Sequence, residues 1–136
     1  MYMSVEQQRE LDNLVDKGYE LYLQLQELQL YEQFKIQQKI RLKPPKWCRE
    51  FDAIEVRFDD KCNITEIVGQ TQVDQFVVEL PIKDAKLVDW CLDQTLPVLD
   101  YIKTHNIEDE IAAIQAELYR LQVNIDNIVN NEPVDY

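Results

Sequence analysis

The sequence has very little glycine and histidine. Gly18 and Gly69 are its only glycines and His105 its only histidine among 136 residues. Two isolated glycines cannot form a phosphate-cradling loop, and one histidine cannot complete a carboxylate–histidine metal site. The turn at residues 59–63 lacks the glycine and the final glutamate of a calcium loop. We therefore expect no enzyme activity, no catalytic residue, no metal and no cofactor.

Cysteines and long apolar runs are also scarce. Cys48, Cys62 and Cys91 form no C-x-x-C pair, and an odd number of cysteines does not suit a disulfide framework. No N-terminal apolar segment of the secretory type is present, and no run of about 18 apolar residues could span a membrane. We expect a cytoplasmic protein with reduced cysteines and no membrane association.

Negative charge is abundant and unevenly distributed. The chain holds 26 acidic and 14 basic residues, a formal charge of −12, and residues 84–136 alone hold eleven acidic and three basic residues. Such a field repels phosphates, so we expect no nucleic-acid binding and favour a basic segment of another protein as the partner. The alternative is that the charge serves only to keep a small protein in solution.

Hydrophobic periodicity predicts a single α+β domain over residues 1–136. Ser4 and Gln7 form a capping box at the start of a long N-terminal helix, predicted over residues 4–38. Pro44-Pro45 requires that helix to end first.

The middle of the chain predicts a small antiparallel meander within residues 47–81. Its strands are expected near residues 54–58, 64–68 and 75–80, with a turn at 69–71 between the last two. A fourth short strand could form near residues 48–51, so the meander would have three or four strands.

Two C-terminal helices are predicted after the meander. Asp84 is placed to cap a helix over residues 84–103, which Pro97 should kink or break. Asn106 is placed to cap the last helix, over residues 107–130. Residues 131–136 should be a frayed tail.

The first and last helices each carry an apolar seam in steps of three and four. Matching seams predict that the last helix pairs antiparallel with the first inside one chain, while a homodimer or a partner helix remains the alternative. The seam of the last helix consists of Ile107, Ile111, Ile114, Leu118, Leu121, Ile125 and Ile128. The seam of the first helix consists of Leu11, Leu14, Gly18, Leu21, Leu25 and Leu28.

Two features could contact a partner. The first is the basic run over residues 35–49, whose lysines and arginines beside Trp47 could clamp a phosphate or, as the alternative, only neutralise acidic neighbours. The second is an open edge of the meander, which could accept an extended segment as an added strand, with the tryptophans as pocket anchors or plain core residues. The predicted partner-binding residues are Lys43, Lys46, Trp47, Arg49, Phe76, Val78 and Trp90.

These observations favour a non-catalytic adaptor or assembly factor that binds a short or extended segment of its partner. The alternative is an acidic inhibitor or nucleic-acid mimic, of the kind some phages carry, that blocks a basic groove. Raised salt should weaken the second mode steeply and the first only slightly.

The chain also shows an overall pattern: a glutamine–leucine helix, a small central sheet with two tryptophans, and an acidic heptad helix. Through residues 19–34, 44–47 and 96–106 it resembles the small accessory proteins that help cyanobacteria assemble carboxysome shells. The resemblance spans the chain but contains no diagnostic motif and assigns no functional residue. It implies an adaptor that grips a short extension of a shell protein.

Overall fold

A computed structural model describes residues 3–130 and confirms the predicted α+β fold. The long N-terminal helix, the antiparallel meander and the two C-terminal helices are all present. The helices are α1 (Val5–Gln37), α2 (Ala85–Thr104) and α3 (Ile107–Asn130). The strands are β1 (Lys39–Leu42), β2 (Ala53–Phe58), β3 (Ile64–Val73) and β4 (Phe76–Pro81). The predicted tail, residues 131–136, lies outside the described residues.

The chain divides into two compact units. The helical unit comprises Met1–Leu30 and Ile107–Tyr136, and the sheet unit comprises Tyr31–Asn106. The helical unit holds 13 acidic and three basic residues, whereas the sheet unit holds 13 acidic and 11 basic residues. The formal net charges are therefore −10 and −2, so the helical unit carries most of the net negative charge because it holds few basic residues.

The helical unit is built from an antiparallel pair of helices, as the seams predict. Ser4 and Gln7 form the expected capping box, with each side chain accepting from the other residue's backbone N–H. Helices α1 and α3 contact each other, and Lys17 Nζ lies 3.2 Å from Glu117 Oε1. Within residues 3–30 and 107–130 of this unit, the buried residues all belong to the predicted seams: Leu21, Leu25, Leu28, Ile107, Ile111 and Leu121. The other seam residues are half-buried: Leu11, Leu14, Gly18, Ile114, Leu118, Ile125 and Ile128.

The sheet has four antiparallel strands in the order β1-β2-β3-β4. Its first strand follows α1 directly, and residues 48–51, where the sequence suggested a fourth strand, form none. Gln38 makes the reversal with a positive φ of 56°, and its carbonyl accepts a hydrogen bond from Phe58 N. Strand β1 can then pair with β2, which places the buried Ile40 opposite Val56.

The predicted turn at residues 69–71 is wrong, because β3 runs straight through it to Val73. The glycine there serves close packing instead: a Cβ atom on Gly69 would overlap the ring of Phe51. The chain reverses at Asp74 and Gln75, where Asp74 adopts a φ of 53°. Aspartate tolerates this left-handed conformation better than most residues do.

One face of the sheet carries the core of the sheet unit. Leu87 and Cys91 of α2 pack against Ile54 and Val56, and Leu99 packs in a second cluster with Ile40 and Phe58. The predicted break at Pro97 does not occur, since α2 continues through it as one helix. The buried strand residues in both clusters belong to β1 and β2, and the half-buried Ile64 and Ile67 of β3 pack against them.

Candidate interaction surface

Strand β4 is one of the two edge strands of the sheet; the other is β1, whose Ile40 is buried. The hydrogen bond from Ile82 N to Ile67 O, 3.0 Å long, identifies that pair as hydrogen-bonded. In an antiparallel ladder such pairs alternate with pairs whose backbone groups point away from each other. Counting along the β3–β4 register, the N–H and C=O groups of Val77 and Glu79 point outward, away from β3. Pro81 has no N–H and ends this row of donors.

The side chains of β4 are exposed on both faces of the sheet. Phe76, Val78 and Leu80 continue the core face, yet they are 74%, 41% and 53% exposed. Val77, on the opposite face, is 62% exposed. We call the outward backbone groups of β4 together with these four side chains the β4 edge. Within the described residues, no strand pairs with this edge.

The register shows that Phe76, Val78 and Leu80 continue the core face of the sheet. Leu80 pairs with Gly69, and Gly69 pairs with the fully buried Ile54, so all three residues share one face of the sheet. Neither core cluster of the sheet unit includes a residue of β4. The apolar face therefore extends beyond the part that α2 covers.

The opposite face of the sheet is polar and held by Arg57. Its Nη2 lies 2.7 Å from Glu79 Oε1 and 3.1 Å from Glu55 Oε1, and its Nη1 lies 3.1 Å from Glu66 Oε2. Hydrogen bonds from Gln70 and then from Arg57 hold the pKa of the Glu79 carboxyl below its usual range. The charge of Glu79, on the edge strand itself, is thus already compensated.

Glu55 is the buried charge of this network, only 4% exposed. It lies within 3.8 Å of Lys39 Nζ and 3.6 Å of Arg41 Nη1, in addition to Arg57. A buried carboxylate needs several such partners to be tolerated. These contacts join β1 to β2 and fix the polar face.

A second feature lies around Trp47, at the end of the basic run. Trp47 is 47% exposed and Lys86 Nζ lies 4.4 Å from the centroid of its ring, a cation–π contact. A pocket of about 220 Å³ opens beside it, below the roughly 300 Å³ at which ligand pockets usually begin. It is lined by Trp47, Cys48, Arg49, Glu50, Asp84, Lys86 and Leu87.

The predicted partner-binding residues fall in separate places. Phe76 and Val78 lie on the β4 edge, while Trp47 and Arg49 line the small pocket. Lys46 is exposed in the same loop, and Lys43 borders a shallow depression beside β1. Trp90 is half-buried and packs against the core cluster of Ile54 and Val56.

Two residues of the β4 edge escaped the sequence prediction, Val77 and Leu80. An alternating pattern implies one buried face and one exposed face, whereas β4 is exposed on both. The sequence did contain a signal, the uninterrupted apolar run over residues 76–78. Apolar residues on both faces of an edge strand indicate that a further partner covers them.

No match was found when the chain was compared with protein-family models, with curated proteins and with solved structures. In residues 3–130, no group of three or more histidine, cysteine, aspartate or glutamate side chains is arranged to hold a metal ion. None of the helices in the described part of the chain is long and apolar enough to cross a membrane.

Proposed function

We propose that this protein is a non-catalytic adaptor or assembly factor that binds an extended segment of a partner as a fifth strand beside β4. The observation that carries the proposal is that β4 is an edge strand of the sheet and, unlike the other edge strand β1, is exposed on both of its faces. Open edges are normally blocked by charge, by proline or by a covering element. Here Pro81 blocks one end, and the row from Phe76 to Leu80 stays open.

The backbone of β4 would set the register of the added strand. Val77 and Glu79 offer two N–H donors and two C=O acceptors, which a partner segment of about five residues can satisfy. The side chains of Phe76, Val78 and Leu80 would supply apolar contact. Because they are already partly buried, covering each one contributes roughly 1 kcal/mol, about half of a full burial.

The partner segment should therefore alternate in character. Residues on the core-face side should be apolar, to contact Phe76, Val78 and Leu80. Residues on the other side face Val77 and the compensated carboxylate of Glu79, so polar or hydroxyl side chains fit there. The −10 charge of the helical unit favours basic residues elsewhere in the partner. A short extension of a shell protein, which the carboxysome resemblance implies, would be one such segment.

A second candidate function rests on that same charge. An acidic helical unit could occupy a basic groove in the manner of a nucleic-acid mimic. Its binding should weaken steeply as salt rises, whereas strand addition at the β4 edge should change little.

Selection from a displayed library of short random peptides tests the first proposal. Selected peptides should alternate apolar and polar residues and should bind Phe76→Lys at least tenfold more weakly, since lysine places a charge in the apolar face. Tyr119→Lys is the matched control: Tyr119 is 72% exposed, close to the 74% of Phe76, but lies in the helical unit. The proposal would be refuted if the peptides bound both variants with the same affinity as they bind the wild-type protein.

A further inference from the structure

The register of β4 fits a second copy of itself. We infer that two copies of this chain pair β4 against β4, antiparallel, with the two Val78 residues facing each other on a twofold axis. This inference rests on the proposed function, because it uses the same edge. The product would be a continuous eight-stranded sheet, which is within the usual size of open sheets.

The outward backbone groups determine this register. With Val78 on the axis, Val77 of one copy lies opposite Glu79 of the second copy, and the same pair recurs across the axis. Each such pair exchanges two N–H···O=C bonds, so every outward donor of Val77 and Glu79 is satisfied.

The neighbouring symmetric registers fit less well. Placing Glu79 opposite Glu79 brings two carboxylates face to face and sets Val77 opposite Pro81, which has no N–H to donate. Placing Val77 opposite Val77 sets the apolar Leu80 against Asp74 in the turn. Only the Val78-centred register uses both outward pairs and matches the side chains.

The side chains on the core face are complementary in the same register. Phe76 of each copy lies opposite Leu80 of the other, and Val78 lies opposite Val78, so six exposed apolar side chains form one cluster. On the polar face each Glu79 lies beside Val77 of the second copy and keeps its own Arg57 at 2.7 Å. The twofold axis thus creates no unpaired charge.

The expected dimer is weak and sensitive to salt. Two paired strands of six residues each bury much less surface than the roughly 1,200–2,000 Å² that stable interfaces usually bury. The dimer should therefore be weak, and its population should depend on protein concentration. Each copy carries a charge of −12, so the two copies repel each other, and salt screens this repulsion. Raised salt should therefore strengthen the dimer, the opposite of its effect on an acidic mimic and its target.

Sedimentation of the full chain tests the association. The mass should rise from 16.2 kDa toward twice that value as concentration increases, and more readily at high salt. Phe76→Lys should remain a monomer, while Tyr119→Lys should associate like the wild type. A monomer at millimolar concentration, or a dimer that survives Phe76→Lys, would overturn the inference.

Cross-linking tests the register. Two Val78→Cys side chains would face each other and form a disulfide-linked dimer on oxidation, at yields well above those of the wild type, whose Cys48, Cys62 and Cys91 give the background. Val77→Cys is the matched control, since in this register the two Val77 residues are diagonal neighbours about 7–8 Å apart, too far for a disulfide. Equal or greater cross-linking of Val77→Cys would refute the register.

The two proposals can fail separately. Peptide binding that depends on Phe76, in a protein that stays monomeric, would overturn the self-pairing alone. If the protein dimerises through Phe76 but no alternating peptide is recovered from the library, the adaptor function alone is overturned. If both hold, a selected peptide and the second copy compete, so the peptide should convert dimers into monomers.

Discussion

Gly69 sits in the middle of β3 beneath the ring of Phe51, and replacing it with alanine gives a quantitative test of the packing that supports the β4 edge. The added Cβ would lie within 2.5 Å of Cγ, Cδ1 and Cε1 of the ring. Carbon atoms in ordinary contact are about 3.5–4.0 Å apart. These atoms are close to the backbone of Phe51, so the whole ring must move.

The magnitude follows from two opposing terms. Overpacking a core position by one carbon typically costs about 1–3 kcal/mol. Alanine is about 0.5–1 kcal/mol better than glycine within a strand, and no glycine of the described chain has a positive φ that would forbid it. The two terms together leave a fall of about 0–2.5 kcal/mol in the free energy of unfolding. Since the added Cβ would overlap three ring carbons, Gly69→Ala should lie in the upper part of that range, at about 1–2 kcal/mol.

Combining Phe51→Ala with Gly69→Ala in a double variant separates the clash from other effects. Phe51 is half-buried, so its removal alone should cost about 2 kcal/mol, well below the 3–5 kcal/mol of a fully buried phenylalanine. In the double variant the clash is gone and only the preference for alanine over glycine remains, so its cost should be about 0.5–1 kcal/mol below that of Phe51→Ala alone. The coupling energy should equal the clash, about 1–3 kcal/mol.

Urea unfolding followed by tryptophan fluorescence measures these energies. Trp47 and Trp90, the only tryptophans of the chain, both belong to the sheet unit, so the signal reports the unit in question. Additive costs in the double variant, or a neutral Gly69→Ala, would show that the ring does not lie over the glycine.

Two further predictions concern single side chains. Asp84→Ala should lower the free energy of unfolding by about 1 kcal/mol, because Oδ1 of Asp84 accepts a 3.0 Å hydrogen bond from the Leu87 N–H as the cap of α2. Asp84→Asn, which keeps a capping oxygen, should retain most of that stability. An unchanged urea midpoint in Asp84→Ala would contradict the cap. The Glu79 carboxyl has a lowered pKa in the folded state, so its contribution to stability is present above its unfolded pKa and is lost as pH falls through the lowered one. An NMR titration should therefore place the pKa of Glu79 below that of an exposed glutamate, and Gln70→Ala, which removes the first cause of the shift, should raise it; a normal pKa would contradict the network.

The helices could be predicted from the sequence because their signals are local. Ser4 with Gln7 and Asp84 mark helix starts by hydrogen bonds to residues three positions away, and the structure contains those bonds. The seams depend only on spacing along one helix, and the buried residues of α1 and α3 follow them.

The first strand could not be predicted in the same way. β1 has only four residues, and it is a strand because Ile40 and its neighbours pair with β2 more than a dozen residues later. The turn predicted at Gly69 was wrong for a related reason. A glycine often indicates a turn, but here it is required because the ring of Phe51 occupies the place of a side chain. Both features depend on tertiary contacts that local patterns do not contain.

The candidate site was predicted in part. Phe76 and Val78 were identified because a meander must end in an open edge, and the structure places both on it. Val77 and Leu80 were not, because exposure on both faces arises from where α2 packs, and α2 covers the β1 and β2 side of the sheet.

Hydrogen exchange of backbone amides tests the strand-addition proposal most directly. In dilute protein the amides of Val78 and Leu80, bonded to β3, should be protected, while those of Val77 and Glu79 should exchange rapidly. A selected peptide should slow exchange at Val77 and Glu79 by at least tenfold and leave the helical unit unchanged. A bound peptide that protects other amides and leaves these two exposed would contradict the account.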